Sequence, residues 1–185
     1  MTTNAFLNIA DTFNCGIFID KDLIIKTMSE MDCIIPVDPT DDHTKNAHNY
    51  EPQPSDNQCG SYFWYPKIGV YQNELLIGYL DIEFTLDTTF HSFSVQLHYV
   101  YIKPTLREKG IFTLVIDTLC EVLTEEVTYQ ASGEAADLSE YEFIYIAEYV
   151  SLPGKKIGAR LYLTLDLLAE LLGANFIEEI HTSLH

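Results

Sequence analysis

Between Val95 and Cys120 the apolar residues change period, and that change limits the folds open to the chain. Val95, Leu97, Tyr99 and Tyr101 alternate, as on a strand with one buried face. From Gly110 onward Ile111, Val115 and Leu119 repeat every four residues beside Phe112, Ile116 and Cys120, which predicts an amphipathic helix. The junction carries Lys103, Arg107 and Lys109. Helix N-termini expose unpaired N–H groups and partial positive charge, so a basic glycine loop at such a point suits an anion such as a phosphate. The alternative is an ordinary strand-to-helix connection with solvated charges.

A second junction repeats the pattern. Phe143-Ile-Tyr-Ile-Ala-Glu-Tyr-Val reads as a strand buried on both faces. Ser151-Leu-Pro-Gly-Lys-Lys-Ile-Gly reads as another basic glycine loop. The helix after it places Ile157, Leu161, Leu165, Leu168 and Leu172 on one stripe and stops at Gly173. Asn175 to Ser183 is predicted to form a last strand. Upstream, Tyr62 to Tyr71, Leu75 to Phe84 and Phe93 to Ile102 predict an antiparallel meander, with turns at Gln72-Asn-Glu and Asp87-Thr-Thr-Phe-His. Leu76, Leu80, Ile82 and Phe84 are expected on one face. The fold class is therefore α+β: a mixed sheet in which a meander is followed by βαβα units, the parallel strands joined by right-handed crossovers.

The N-terminal part is less regular. Asp20 to Met31 reads as a short helix capped by Asp20, although Ile24 and Ile25 leave a strand open. Four prolines and a polar run make residues 36–60 a long irregular segment, functional or mobile. Asp41, Asp42, His43 and His48 within it lack the second ligand cluster that a metal site needs. Gln130 to Asp137 reads as a surface loop in an acidic segment running from Thr124 to Glu142.

Charge narrows the partners. At 185 residues the chain reads as a single domain, and its formal net charge is −18. Direct binding of nucleic acid is not expected, because that affinity rests on Lys and Arg neutralising phosphates. Six of the ten basic residues fall in two windows, 103–109 and 155–160, which favours an anion site over scattered solubilising charge. No apolar run reaches bilayer length, and Met-Thr-Thr-Asn-Ala-Phe-Leu has no basic leader region. Cys15, Cys33, Cys59 and Cys120 form no CxxC pair and read as free thiols in a reducing cytoplasm.

The element order over residues 62–180 resembles that of the Gcn5-related N-acetyltransferases (GNAT). Their motif Gln/Arg-x-x-Gly-x-Gly/Ala is matched by Arg107-Glu-Lys-Gly110-Ile-Phe112 at its first and fourth positions, with Phe112 in place of the small sixth residue. The resemblance implies acetyl-CoA as the acyl donor. Its pyrophosphate would lie on the backbone of Arg107, Glu108, Lys109, Gly110, Ile111 and Phe112, and its pantetheine arm along Val100, Tyr101 and Ile102. A bulky Phe112 is expected to narrow the pyrophosphate approach. Tyr162 resembles the position from which family members supply a catalytic acid, the alternative being a packed core aromatic. His98, Glu83 and Glu148 are candidates for the base; histidine is the residue type that titrates near neutrality. A buried Glu148 would need a partner.

The implied reaction is acetyl transfer to an amine, and the acidic surface favours a cationic substrate: a polyamine, an aminoglycoside-like amine or a basic protein. The competing reading is a catalytically inactive GNAT-like interaction protein that mimics DNA and binds a basic or DNA-binding protein. A homodimer is also among the expected assemblies, and no membrane association is expected.

Overall fold

The computed structural model describes residues 3–29, 51–56, 60–131, 138–149 and 152–182. In chain order the elements are α1 (Thr3–Cys15), β1 (Ile17–Asp20), β2 (Leu23–Thr27), β3 (Glu51–Asp56), β4 (Ser61–Tyr65), β5 (Lys67–Gln72), β6 (Leu75–Asp87), β7 (Ser92–Ile102), α2 (Ile111–Ala131), β8 (Glu142–Tyr149), α3 (Leu152–Leu172) and β9 (Asn175–Thr182). The nine described strands form one mixed sheet in the order β1-β2-β5-β6-β7-β8-β9, with β4 on the far half of β6 and β3 outside β4. Pairing is antiparallel up to β7, then parallel from β7 to β8 and from β8 to β9. The predicted meander followed by two helix crossovers is the architecture found.

Local chemistry explains the connections. Asn73 and Glu74 both adopt positive φ, the geometry of a two-residue hairpin turn between β5 and β6. Asp87 closes the next turn, its Oδ1 accepting from the N–H groups of Thr89 (2.8 Å) and Phe90 (2.9 Å). Its Oδ2 accepts from the Ser61 hydroxyl at 2.6 Å, and that bond above all holds the carboxyl below its ordinary pKa. Gly173, with φ 69°, ends α3: Ala174 N–H bonds back to the Ala169 carbonyl at 2.9 Å, a Schellman closure.

Two parallel crossovers in the same direction set α2 and α3 on one face of the sheet, and α1 packs there against α2 and β2. One core results. Phe6 and Phe13 of α1, Val115 and Leu119 of α2, and Leu161 and Leu165 of α3 meet Ile25, Trp64, Leu80, Phe84, Val95 and Phe143 from the strands. The opposite face carries a smaller cluster of Met28, Tyr79 and Tyr101, flanked by Leu76 and Tyr99, and no described helix covers it. No described helix is long and apolar enough to cross a membrane.

Several expectations need correction. Asp20 to Thr27 belongs to a β1–β2 hairpin, the strand option that Ile24 and Ile25 left open, and the helix lies earlier, over Thr3–Cys15. Within 36–60, Glu51–Asp56 is an edge strand. Its ladder to β4 is irregular between Glu51 and Ser55, where Pro52 and Pro54 remove two donors. Asp41, Asp42, His43 and His48 lie outside the described residues. Strand β8 buries Phe143, Tyr145 and Ala147 but leaves Ile144 and Ile146 partly open and Glu148 exposed, so only one of its faces is sealed. Residues 152–158 are the first turns of α3 and not a loop. A bulge at Ile77 puts Leu76 on the opposite face from Leu80, Ile82 and Phe84.

Candidate functional site

The sheet divides at the C-terminal ends of β7 and β8. The two strands pair from Ser92↔Glu142 to Leu97↔Ala147 and no further. Beyond that point β7 stays with β6 as far as Ile102↔Gly78, and β8 stays with β9 as far as Tyr149↔Thr182. A wedge therefore opens between two parallel strands at their carboxyl ends, the place where α/β sheets bind ligands. From His98 to Ile102, the edge of β7 that faces the wedge carries peptide groups that β8 does not engage.

A one-residue bulge marks where the wedge begins. Leu97 pairs with Ile82 and Tyr99 with Asp81, which leaves His98 as the extra residue on β7. The bulge exchanges the faces of the strand. Before it Phe93, Val95 and Leu97 enter the helix-side core; after it Val100 and Ile102 pack toward that core while Tyr99 and Tyr101 join the open-face cluster. The unbroken alternation expected through Tyr101 is thus interrupted, because a single inserted residue reverses every later side chain.

Below the wedge, Pro104–Leu106 makes a single 3-10 turn anchored by Lys103 N–H on the Ile77 carbonyl at 2.9 Å. Arg107 folds back on the strand: its Nε donates to the Ile102 carbonyl at 3.2 Å, and its guanidinium lies 6.0 Å from the centre of the Tyr101 ring. Glu108 and Gly110 both take positive φ (62° and 76°), and the Gly110 carbonyl accepts from Leu114 to start α2. A Cβ at Gly110 would have nothing within 4 Å, so the start of α2 is open on that side. The expected narrowing by Phe112 is not what its position produces. Phe112 is 6% exposed, and its ring leans over Gly78, where a Cβ would come within 3.2 Å of Cε2. The side chain fills the core underneath the loop.

The second basic window is different. Lys155, Lys156 and Arg160 lie on exposed turns of α3, and Arg160 Nη1 donates to Asp117 Oδ1 of α2. That window ties two helices together and does not form a second anion loop.

The structure joins two of the three candidate bases. His98 Nε2 lies 3.3 Å from Glu83 Oε2, and the imidazole meets the Tyr65 ring edge-on at 5.0 Å. Beneath them Lys67, 4% exposed, pairs with Asp81 at 3.4 Å and lies over the Tyr79 ring at 5.4 Å. Burial first, then the neighbouring Asp81 carboxylate, raises the Tyr65 phenol far above its ordinary pKa, so it keeps its proton. Glu148 is the first residue of β8 past the last β7 pair and is exposed on the open face, across the wedge from His98. Tyr162 is elsewhere: it packs edge-on against Tyr145 (6.0 Å) and Phe176 (5.2 Å) on the helix side, where burial and then Glu178 raise its pKa.

Sequence reading missed Tyr65, Lys67 and Asp81. A signal was present: Asp81 and Glu83 are two apart on one strand, so they share the face of the meander that does not carry Leu80 and Ile82. Among the described residues no group of three or more His, Cys, Asp or Glu side chains is placed to hold a metal ion. No protein-family model matches the chain, and no curated protein matches it.

Proposed function

We propose that the chain is a GNAT-like N-acyltransferase that takes an acetyl group from acetyl-CoA and passes it to the amine of a cationic substrate. The observation that carries this reading is the wedge between β7 and β8, opened at a histidine bulge and floored by a helix start with an open glycine. The residues present fit the donor. The β7 edge from Val100 to Ile102 can bond the amides of a pantetheine arm, and the N–H groups from Arg107 to Phe112 can hold a pyrophosphate. When bound, acetyl-CoA supplies an electrophilic thioester.

The chain's own residues do the rest. Glu83 accepts the Nε2–H of His98, which fixes the tautomer and leaves Nδ1 as the basic nitrogen for a proton from the acceptor ammonium. Glu83 and Glu148 draw that ammonium to the mouth of the wedge. Tyr65 keeps its proton and meets the imidazole edge-on, so a phenol O–H stands beside this pair.

Isothermal titration with acetyl-CoA tests the reading. One-to-one binding in the micromolar range is expected, weakened by Arg107→Ala. Folded protein that gives no heat at about 500 μM ligand overturns it.

The competing reading, an acidic interaction protein, draws on carboxylates away from the wedge: Glu121 and Glu125 on α2 and Glu178 and Glu179 on β9 are all exposed. It requires salt-sensitive capture of a basic or DNA-binding protein, and capture that is insensitive to salt counts against it.

A further inference from the structure

Helix α3 presents leucines to solvent. Leu163 is 53% exposed, Leu167 62% and Leu171 69%, although the helix already buries Leu161, Leu165 and Leu168 on its other side. The three recur every fourth residue, so they form one stripe on the outer surface. Contiguous apolar surface of this kind marks an interaction site more often than a solubilised helix.

The charges on either side of the stripe are ordered. Lys155, Lys156 and Arg160 stand in the N-terminal half, three of the ten basic residues in a chain of net charge −18. Asp166 and Glu170 stand in the C-terminal half. A helix with one basic and one acidic half around an apolar stripe is complementary to itself when turned end for end.

We propose that α3 is a homodimer interface, packed antiparallel against α3 of a second copy about a two-fold axis through Leu163. In that register Leu163 meets the same residue of the second copy and Leu167 faces Ala159. Leu171 lies on the aliphatic stem of Lys155. Lys156 stands opposite Glu170, and Arg160 stands opposite Asp166 while keeping Asp117 of its own chain. Each leucine meets an apolar group, and Lys156 and Arg160 each meet an opposite charge, twice, as a two-fold interface requires. The antiparallel arrangement also sets each helix N-terminus beside the other's C-terminus. A uniformly acidic partner is disfavoured by the acidic half, and a uniformly basic one by the basic half. A second copy answers both.

Sedimentation equilibrium of the full chain from about 1 to about 100 μM tests the interface. Wild type is expected to be a dimer. Leu163→Asp, which meets itself at the axis, is expected to raise the dimer Kd about 100-fold or more. The exposed position leaves the fold intact, and a circular dichroism melt checks this. Lys156→Glu and Glu170→Lys each weaken the dimer about tenfold, and the double variant restores it. A wild type that stays monomeric throughout overturns the proposal. So does a dimer that survives Leu163→Asp, or a double variant no tighter than the singles.

Discussion

His98 reaches Glu83 at 3.3 Å across the β6–β7 pair, at the point where β7 carries one residue more than β6. Glu83 is paired in register with Gln96, and His98 is the next-but-one residue along, a diagonal neighbour on the open face. A strand histidine is thus held by a carboxylate at the mouth of the wedge, and the bulge sits at the same residue. His98→Ala is expected to lower kcat with amine acceptors by about 10²–10⁴-fold while calorimetric affinity for acetyl-CoA stays within about twofold. Glu83→Gln keeps the shape and loses the charge, with a smaller drop of about tenfold. Unchanged turnover in His98→Ala would remove the histidine from the mechanism.

Lys67 and Asp81 are a cross-strand pair beneath this site, with side chains 5% and 16% exposed. Removing one partner strands a charge in the sheet. Urea unfolding of Lys67→Met is expected to show a loss of about 3–5 kcal/mol, and adding Asp81→Leu to recover most of it. A single variant as stable as wild type would show that solvent reaches Asp81 freely.

Phe112 and Gly78 occupy each other's space. Phe112→Ala leaves a core cavity and is expected to cost about 3–5 kcal/mol, with no gain in acetyl-CoA affinity. Gly78→Ala would force a methyl group to 2.5 Å from the Tyr101 carbonyl oxygen, a backbone atom with little room to move, and is expected to cost about 1–3 kcal/mol. Tighter acetyl-CoA binding by Phe112→Ala would mean that the ring obstructs the loop after all.

Asp87 gives a pH signature. Its folded-state pKa is depressed, chiefly by the Ser61 hydroxyl, so its contribution to stability is complete above the ordinary value of 3.8 and is lost as pH falls through the depressed one. Asp87→Asn should therefore melt below wild type at neutral pH, and the gap should close once the pH drops beneath the usual carboxylate range. A gap that persists at the most acidic pH the fold survives would contradict the assignment.

Signals that lie within a few residues of each other were legible in the sequence. The Asn73-Glu74 turn, the Gly173 stop, the α3 core stripe and β9 all follow from short-range chemistry. The two bulges were not, since neither Ile77 nor His98 differs in type from its neighbours in any way that marks an inserted residue. Pairing with the adjacent strand decides where the extra residue goes. The start of α3 misled for a similar reason. Pro153 suits a first helical turn, but Gly154, Gly158 and two lysines at the positive end of the dipole all argue for a loop. Tertiary contacts outweigh them: Gly158 is buried, and Arg160 is held by Asp117. Of the site, His98, Glu83 and Glu148 were found singly by residue type. Their grouping needed the sheet register, which no single strand contains.

Placing the three described α-helices on one side of the sheet divides the described residues into two populations under different constraints. Substitutions on the helix side are judged by packing, and most would be removed for their cost in stability. On the other side, Phe63, Glu83, Tyr99 and Ile144 are only partly covered, Glu148 is exposed, and all contribute little to the helix-side core. Under the acyltransferase proposal, that surface can drift from one acceptor to another by single replacements without endangering the scaffold. The architecture separates the evolution of specificity from the maintenance of the fold.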